Sequence, residues 1–422
     1  MNKTEIIIIG AGPAGMMAAI TAAKQGCKVT IIEKNSQCGK KLNITGKGRC
    51  NISYIGNTEY FLSNVVTNPK FMMSSISNLD NEDLIAYVHS LGIKTKEERG
   101  NRIFLASDDA HELTLALVQE LKKYNVKIMY NASVKHILLK EVAVQGVELE
   151  NGEKLYADKV LIATGGTSYK STGSTGDGYN LACEIGHSIV TPKAALVPVL
   201  LKEKNMCKSL MGVTLKNVEL KIVIDNKLSD KRFGELMFTD KGITGPIVLS
   251  ASSKLNKIKD IEKLASENKI KLQIDLKPAL TEEELYKRIT RDFEKYINKE
   301  FKNSLFDLTI SSLVPAIISR SDIPESKKVN SITKQEKEKL VKVFKNLQFT
   351  FKELENINAG IVTSGGVNVK EINPKTMESK IINNLYFAGE VIDVDAYTGG
   401  FNLQIAFSTG YTAGMNMGDV NG

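Results

Sequence analysis

The chain contains no tryptophan, and phenylalanine and tyrosine bring its aromatic content to only 6%. Ring faces on which bases could stack are therefore scarce. None of the four histidines pairs with another at metal-ligand spacing, which argues against a metal centre and against a Ser-His-Asp hydrolase. The five cysteines (Cys27, Cys38, Cys50, Cys183 and Cys207) form no CxxC pair. An odd number without framework spacing fits a reducing compartment, hence a cytoplasmic location. No apolar run approaches the roughly 20 residues of a membrane helix. The apolar run Ile6–Ile9 follows Glu5 and stops at glycine, unlike a signal peptide. Internal repeats and low-complexity linkers are absent.

What is present begins at once. Glu5-Ile6-Ile7-Ile8-Ile9 reads as a strand, Gly10-Ala11-Gly12-Pro13-Ala14-Gly15 as a glycine turn opening a helix, and Val29-Thr30-Ile31-Ile32 as a second strand followed by Glu33. This is the dinucleotide-binding fingerprint in its full strand–turn–helix–strand context. Gly10 makes the tight turn, Gly12 lets backbone approach a pyrophosphate, and Gly15 lets helix pack on strand. The helix start offers N–H groups and partial positive charge to the phosphates. Glu33 stands where a carboxylate accepts hydrogen bonds from ribose hydroxyls.

At 422 residues the chain exceeds one core and predicts two or three domains. Helices are expected over Asp83–Leu91 and Ala110–Tyr124, and strands over Lys127–Tyr130, Ser133–Leu139, Ala143–Glu150 and Lys159–Ala163. The alternation predicts a mostly parallel sheet with ligand at the carboxyl ends of its strands. From about Ala195 the pattern changes to short strands at Leu196–Leu201, Val218–Ile224, Glu235–Phe238 and Lys271–Asp275. A helix over Thr281–Phe301 opens on Thr281 with Glu284 three residues on, a capping-box spacing. Helical pattern continues to Leu347 with a break near Pro324, and Phe349–Leu354 is extended. After Asn358 the chain returns to glycine-rich turns and a strand at Asn384–Glu390. The expected fold class is α/β: a discontinuous Rossmann-like domain (1–192 and 356–422), interrupted by a β-barrel-like domain (193–277 and 346–355) and a small helical domain (278–345).

Charge is uneven along this plan. Between Lys193 and Thr350 there are 31 Lys and Arg against 21 Asp and Glu, a balance of +10, while the remainder has 25 against 27, a balance of −2. The insert could attract a polyanion, with Lys287, Arg288 and Arg291 clustered on the predicted helix.

Two further stretches carry chemistry. Gly39-Lys40-Lys41-Leu42-Asn43-Ile44-Thr45-Gly46-Lys47-Gly48-Arg49-Cys50-Asn51 follows Glu33 at short range. Its cations and glycines suit phosphate and a flat ligand approached by backbone N–H groups. Cys50, beside Arg49 and Lys47, is a weak candidate for a redox cysteine; a small packing residue is the stronger reading. In Ala388-Gly389-Glu390-Val391-Ile392-Asp393-Val394-Asp395-Ala396-Tyr397-Thr398-Gly399-Gly400-Phe401-Asn402-Leu403-Gln404, a strand ends at an acidic residue suited to a ribityl hydroxyl. Gly399-Gly400 then opens a small-residue helix, Ile405 to Met415, whose positive end faces developing ring charge.

The stretches GKGRCN, ATGG with STGSTGDGY, TSGGV with EINPKTMESK, and LYFAGEVIDVDAYTGGFNLQIAFSTG together resemble the BaiN/RdsA-type NAD(P)/FAD-dependent oxidoreductases. The resemblance spans both ends of the first domain and matches the size and order of the insert. It implies non-covalent FAD held by Gly10, Gly12, Ala14, Gly15, Glu33, Lys34, Lys40, Lys41, Gly46, Arg49, Cys50, Asn51, Val134 (backbone, to adenine), Gly165, Glu390, Asp393, Gly400, Asn402 and Leu403. One departure is Tyr169-Lys170, where relatives often carry Tyr-Pro. The chain has no second GxGxxG and no CxxxxC pair, so NAD(P)H would bind transiently. The implied activity is NAD(P)H-linked reduction of a carbonyl-conjugated C=C bond, on a small enone or on a ribosomal RNA uridine. An O2-using amine oxidase is the remaining alternative. Tyr169 and Tyr397, in loops expected near the flavin, are the candidate proton donors.

Overall fold

A computed structural model of the chain describes residues 3–356 and 360–418. They divide into two compact units: one runs to Ala195 and resumes after Asn356, and the other spans Leu196–Asn356.

The first unit is built on β1 (Glu5–Ile9), α1 (Pro13–Lys24) and β2 (Lys28–Glu33). Five parallel strands stand in the order Leu385–Phe387, Lys159–Ile162, β1, β2, Lys127–Tyr130. Their Ile-, Val- and Leu-rich sequences suit a sheet covered on both faces, and Ile6 to Ile9 are buried. β1 lies centrally, with β2 on one side and Lys159–Ile162 on the other, so the order reverses at the carboxyl end of β1. Such a reversal opens a crevice there. Helix Phe401–Gly418 packs on α1 through glycines. A Cβ at Gly410 would lie 2.3 Å from the Ala14 carbonyl oxygen, and one at Gly414 2.6 Å from that of Ala18.

Two small antiparallel sheets flank this core. Asn51–Tyr54, Arg102–Leu105 and Thr95–Glu98 form one, and Val134–Lys140, Ala143–Leu149 and Lys154–Tyr156 the other. The first has no sequence forerunner, because Lys96, Glu97 and Glu98 mask the strand pattern. Ile189–Ala195 and Val362–Val367 form an antiparallel pair that carries the chain out of this unit and back. The expected return after Asn358 falls on residues outside the described set.

The second unit is a closed six-stranded barrel: Val199–Leu201, Gly242–Thr244, Lys227–Phe238, Thr214–Ile224, Ile270–Asp275 and Leu347–Leu354, the last pairing with the first. The strand expected at Leu196 starts at Val199 instead, after Pro198, which has no N–H, and after Leu196, which is left-handed (φ 55°). The strand expected from Glu235 begins at Lys227. Its exposed Lys231, Phe233, Glu235 and Met237 alternate with less exposed positions, a period that the Lys231-Arg232 pair obscures. Helices Glu282–Lys295, Val314–Ser321 and Lys334–Lys345 share one core with the barrel: Leu285, Ile289, Phe293, Leu340 and Phe344 cluster with Leu272, Ile274 and Phe349. Barrel and helices thus form one packed unit rather than separate β and helical domains. Thr281 with Glu284 and Thr333 with Glu336 form full capping boxes. Among the described residues no helix is long and apolar enough to cross a membrane.

Candidate functional site

The three fingerprint glycines differ in what surrounds them. Gly10 is left-handed (φ 104°), and a Cβ there would sit 2.6 Å from the Ala163 carbonyl oxygen; one on Gly15 would sit 2.0 Å from that of Gly10. Both positions are closed by packing. A Cβ on Gly12 would meet nothing within 4 Å. That open face lies at the start of α1, where Gly12 caps without a side chain and Pro13 follows. The first-turn N–H groups have no partner inside the helix, so a phosphate has both room and donors here.

Glu33 ends β2 and is buried. Its Oε2 accepts the Ala11 N–H at 2.8 Å, and its Oε1 accepts the N–H and the Nδ2 of Asn35 at 2.8 and 2.7 Å. The carboxylate ties the glycine turn to the strand end, and Oε2 keeps a lone pair for a hydroxyl. Ala132 N–H bonds to the Glu33 carbonyl and Asn131 N–H to that of Asn35, each at 3.1 Å. These bonds bring the segment entering Val134 alongside.

The loop 39–51 is fastened to the same turn by Gly39 N–H to the Ala11 carbonyl at 2.9 Å. Within it Gly46, Lys47, Gly48 and Cys50 are all left-handed (φ 58°, 61°, 85° and 56°). For Lys47 and Cys50 that conformation costs on the order of 1–3 kcal/mol each, a strain typical of ligand-binding loops. Lys41 leaves this loop to donate to Glu390 Oε2 at 2.6 Å and Ser168 Oγ at 2.7 Å. Glu390 Oε1 accepts Ser168 Oγ–H at 2.9 Å and Thr363 N–H at 2.8 Å. Glu390 therefore stands in a fixed ion pair at the strand ends. Gly389 lies against Ala14, with 2.8 Å between a Cβ built there and the Ala14 methyl. Lys34 donates to Asp177 at 2.6 Å and to Thr175, and Lys40 reaches Asn35 Oδ1 at 3.4 Å. Burial alone would raise the Asp177 carboxyl, but the bonds from Lys34 and Thr175 outweigh it and hold it low.

The start of helix Phe401–Gly418 is stitched to the same loop. Asn51 accepts the Gly400 N–H at 3.0 Å, Ser53 Oγ donates to Gln404 Oε1 at 2.7 Å, and left-handed Gly400 rests on the Ser53 carbonyl. Asn402 spends its amide on the Ala396 and Tyr397 backbone, so it shapes the loop carrying Tyr397, and half-buried Leu403 follows it. Asp393 is buried and receives Asn68 Nδ2 at 3.0 Å. Gly165 and Tyr169 are left-handed (φ 75° and 53°), and both Tyr169 and Tyr397 are half-buried.

At Cys50 the structure agrees with the stronger of its two sequence readings, and at Arg49 it differs from the role expected beside that thiol. Cys50 is fully buried, and desolvation, opposed only by Thr45, pushes its thiol up to about 12. It is a packed thiol, not a redox thiolate. The Arg49 guanidinium does not face it: it stacks on Phe104, 4.3 Å from the ring centroid, and donates to Asp108 at 2.8 Å and to Glu98. Arg49 thus braces the loop through its outer side. Ser168, Thr363, Asn68 and Tyr179 were not foreseen. Each acts across a long sequence separation, and only the stretches TSGGV, which opens on Thr363, and STGSTGDGY, which ends on Tyr179, offered a signal.

Three buried hydroxyls near the strand ends, Thr164 Oγ1, Thr167 Oγ1 and Tyr179 Oη, have no hydrogen-bond partner among the described residues. Burial first, then the charges of Glu390 and Asp393, hold the Tyr179 phenol well above its ordinary range, so it stays protonated. Each orphan costs about 1–3 kcal/mol, which a bound polar ligand would relieve. With the open face over Gly12 and the strained loop, the residues present fit a dinucleotide. Among the described residues no group of His, Cys, Asp and Glu could hold a metal ion.

Residues 4–416 match the family model described as the HI0933-like protein Rossmann domain. The chain belongs to this HI0933-like family. It is 30% identical over 98% of its length to a ribosomal RNA dihydrouridine synthase of Haemophilus influenzae, covering 98% of that protein. It is equally 30% identical to a 3-dehydro-bile acid delta(4,6)-reductase of Clostridium scindens, with 98% of each chain covered. The crystal structure of a 3-ketosteroid-delta4-(5alpha)-dehydrogenase from Rhodococcus jostii RHA1 has the same fold, with a TM-score of 0.54, 14% identity, and 99% and 97% of the two chains covered. This HI0933-like chain is an oxidoreductase with a Rossmann-type FAD-binding fold.

Proposed function

We propose that this protein is an FAD-dependent reductase of a carbon–carbon double bond conjugated to a carbonyl, acting on a uridine of ribosomal RNA, with NAD(P)H as transient reductant. The observation that carries the RNA assignment is the partition of charge. The unit Leu196–Asn356 holds 31 Lys and Arg against 23 Asp and Glu, and the rest of the chain 25 of each. The whole net charge of +8 thus resides in one unit, as a polyanionic substrate requires. The relatives support the chemistry, because their names describe reductions of C=C bonds conjugated to a carbonyl.

FAD, when bound, supplies hydride chemistry. The residues of the chain do the rest. The α1 N-terminus over Gly12 would hold the pyrophosphate, Glu33 Oε2 a ribose hydroxyl, and the backbone at Val134 the adenine. Lys40 would supply positive charge, while Lys34 and Lys41, paired with Asp177 and Glu390, brace the loop against the strand ends. The turn Gly399-Gly400 and the positive end of the helix it opens would stabilise charge on the ring system. Tyr169 and Tyr397 each hold a transferable proton at Oη for the carbon next to the carbonyl.

Mass-spectrometric mapping of ribosomal RNA from a strain lacking the gene tests this reading. A uridine is expected where the parent strain carries dihydrouridine. Unchanged RNA, together with NAD(P)H-dependent turnover of a steroid-type enone, would transfer the chemistry to a small substrate. Peroxide release with an amine and no NAD(P)H would replace both readings by an oxidase.

A further inference from the structure

The cations expected to meet RNA are already engaged. On helix Glu282–Lys295, Lys287 pairs with Glu283 at 2.7 Å, Arg288 and Arg291 with Asp292 at 3.4 and 3.6 Å, and Lys295 with Asp307 at 2.7 Å. A cation balanced by a neighbouring carboxylate adds little to the field a polyanion feels. The unbalanced charge of this unit therefore lies elsewhere.

Part of it stands at an open cleft of about 670 Å³ between helix Lys204–Ser209 and helix Val314–Ser321. Its volume falls in the range of about 300–1,000 Å³ usual for ligand pockets. Lys202 and Lys204 line it, with Asn205, Ser209 and Ser319 as neutral hydrogen-bonding groups and Met206 and Pro315 as an apolar wall. Lys202 donates to the Ala265 carbonyl at 2.9 Å and Asn268 Oδ1 at 2.6 Å, both neutral acceptors, and has no carboxylate within ion-pair distance among the described residues. Lys204 and Lys208, four residues apart on one exposed helix face, have no carboxylate within ion-pair distance among the described residues. The single acid in the lining, Glu203, is occupied. Both its oxygens receive the Thr350 N–H, at 3.1 and 3.0 Å, and the Arg320 guanidinium lies 3.9 Å away. Its charge is thus countered within the protein and does not repel an anion.

We infer that this cleft seats one nucleotide unit of an RNA strand: the phosphodiester on Lys202 and Lys204, the ribose hydroxyls on Asn205 and Ser209, and the sugar or base face on Met206 and Pro315. Lys208 meets the adjoining phosphate. Phosphate contacts of this kind fix position on the strand without reading sequence. The inference rests on the RNA reading above. It adds where the strand is held and assigns the paired cations of helix Glu282–Lys295 no part in holding it.

The test uses the FAD-loaded full chain and a fluorescein-labelled oligouridylate, followed by anisotropy at several salt concentrations. Lys204→Glu with Lys208→Glu should weaken binding at least about tenfold. Lys204→Gln with Lys208→Gln should lower the slope of log affinity against log salt by about 1.4, two contacts at about 0.7 each for a single strand. Lys287→Gln with Glu283→Gln, which removes one ion pair and leaves the net charge unchanged, should leave affinity within about twofold. All these side chains are exposed, and FAD content and thermal midpoint confirm that the variants fold. Uridine monophosphate and inorganic phosphate serve as competitors. Displacement of the oligomer by either at concentrations comparable to the RNA would make this a free-nucleotide or phosphate site and overturn the inference. Equal binding by parent and Lys204/Lys208 variants, or no binding by the parent, also overturns it. If binding is lost in those variants while ribosomal RNA from the deletion strain keeps its dihydrouridine, the cleft stands and the substrate assignment falls. If the dihydrouridine is lost while the variants bind like the parent, the reverse holds.

Discussion

Glu33 holds the Ala11 N–H with one oxygen and Asn35 with the other, so the glycine turn is shaped before any ligand arrives. Removing it should both loosen that turn and delete a ribose acceptor. Glu33→Ala is expected to weaken FAD binding by about 1.5–3 kcal/mol, the usual worth of a hydrogen bond to a charged group. Reconstitution of the apoprotein with FAD measures this, and parent-like affinity would remove Glu33 from the site. At Cys50 the expectation is the opposite. Because its thiol stays protonated to about 12, Cys50→Ala should retain flavin reduction by NAD(P)H and lose only the roughly 0.5–3 kcal/mol of an ordinary buried substitution.

His187 carries a pH dependence whose sign follows from its bonds. Ser379 Oγ accepts the N–H groups of Ile381 and Ile382 at 2.9 and 2.8 Å, so its own proton goes to His187 Nε2 at 2.9 Å and Nδ1–H points to Glu371 at 3.1 Å. The geometry matches a catalytic triad, yet the ring is wholly buried and the serine is spent on backbone. Burial lowers the His187 pKa below 6.5 despite the pull of Glu371. The unfolded chain then takes up a proton below 6.5 that the folded protein resists, so stability falls with pH below that value. Glu371, itself held low through its bonds to Ser188 and His187 against burial, acts in the same direction only below 4.5. Urea midpoints across the upper window should decline for the parent and stay flatter for His187→Gln; equal slopes would exclude His187 as the cause. These roles were beyond reach of the sequence because the partners stand far apart: 184 residues separate His187 from Glu371, and 349 separate Lys41 from Glu390.

At the scale of elements, legibility follows locality. β1, α1 and β2 announce themselves because strand period, glycine spacing and the terminal carboxylate lie within 33 residues. The Thr281–Glu284 capping box marked its helix for the same reason. The return of 346–355 to the barrel-like domain was readable, but its pairing with Val199–Leu201 was not, since that contact forms only after the intervening chain has folded. Packing of Phe401–Gly418 on α1 was half readable: small residues signal close approach without naming the partner. The glycines of these two helices now separate fold from function. Gly12 has φ −79° and open space beyond it, so Gly12→Ala should keep the thermal midpoint of the apoprotein and weaken FAD binding. Gly410 faces backbone at 2.3 Å, so Gly410→Ala should cost about 1–3 kcal/mol by overpacking. Calorimetry of both apoproteins decides; a destabilised Gly12 variant would mean that Gly12 serves packing instead of ligand.

At the scale of the molecule, the sequence announced an interrupted domain because a second glycine-rich strand returned near Asn384. It could not announce how cleanly each unit closes on itself. In the first unit Ala195 pairs with Val362 at the end of an antiparallel ladder, so the chain leaves and re-enters at neighbouring points. In the second, Val199 pairs with Leu354, and the Glu355 N–H bonds to the Pro198 carbonyl at 3.1 Å, so its own ends are also adjacent. Each unit keeps a separate hydrophobic core. Adjacent ends and separate cores are the conditions under which a segment folds alone and its removal is tolerated. Replacing residues 196–361 by an Asn-Gly turn between Ala195 and Val362 should therefore leave a protein that folds and binds FAD, as that turn suits a tight hairpin. Residues 196–356 expressed alone should unfold in urea in one cooperative step and retain salt-dependent binding to oligouridylate, since the net charge of +8 travels with them. Binding confined to the shortened protein would place the RNA surface on the neutral unit and dissolve the link between charge and substrate. A fragment with helical signal but no cooperative transition would show that the barrel needs the rest of the chain to form.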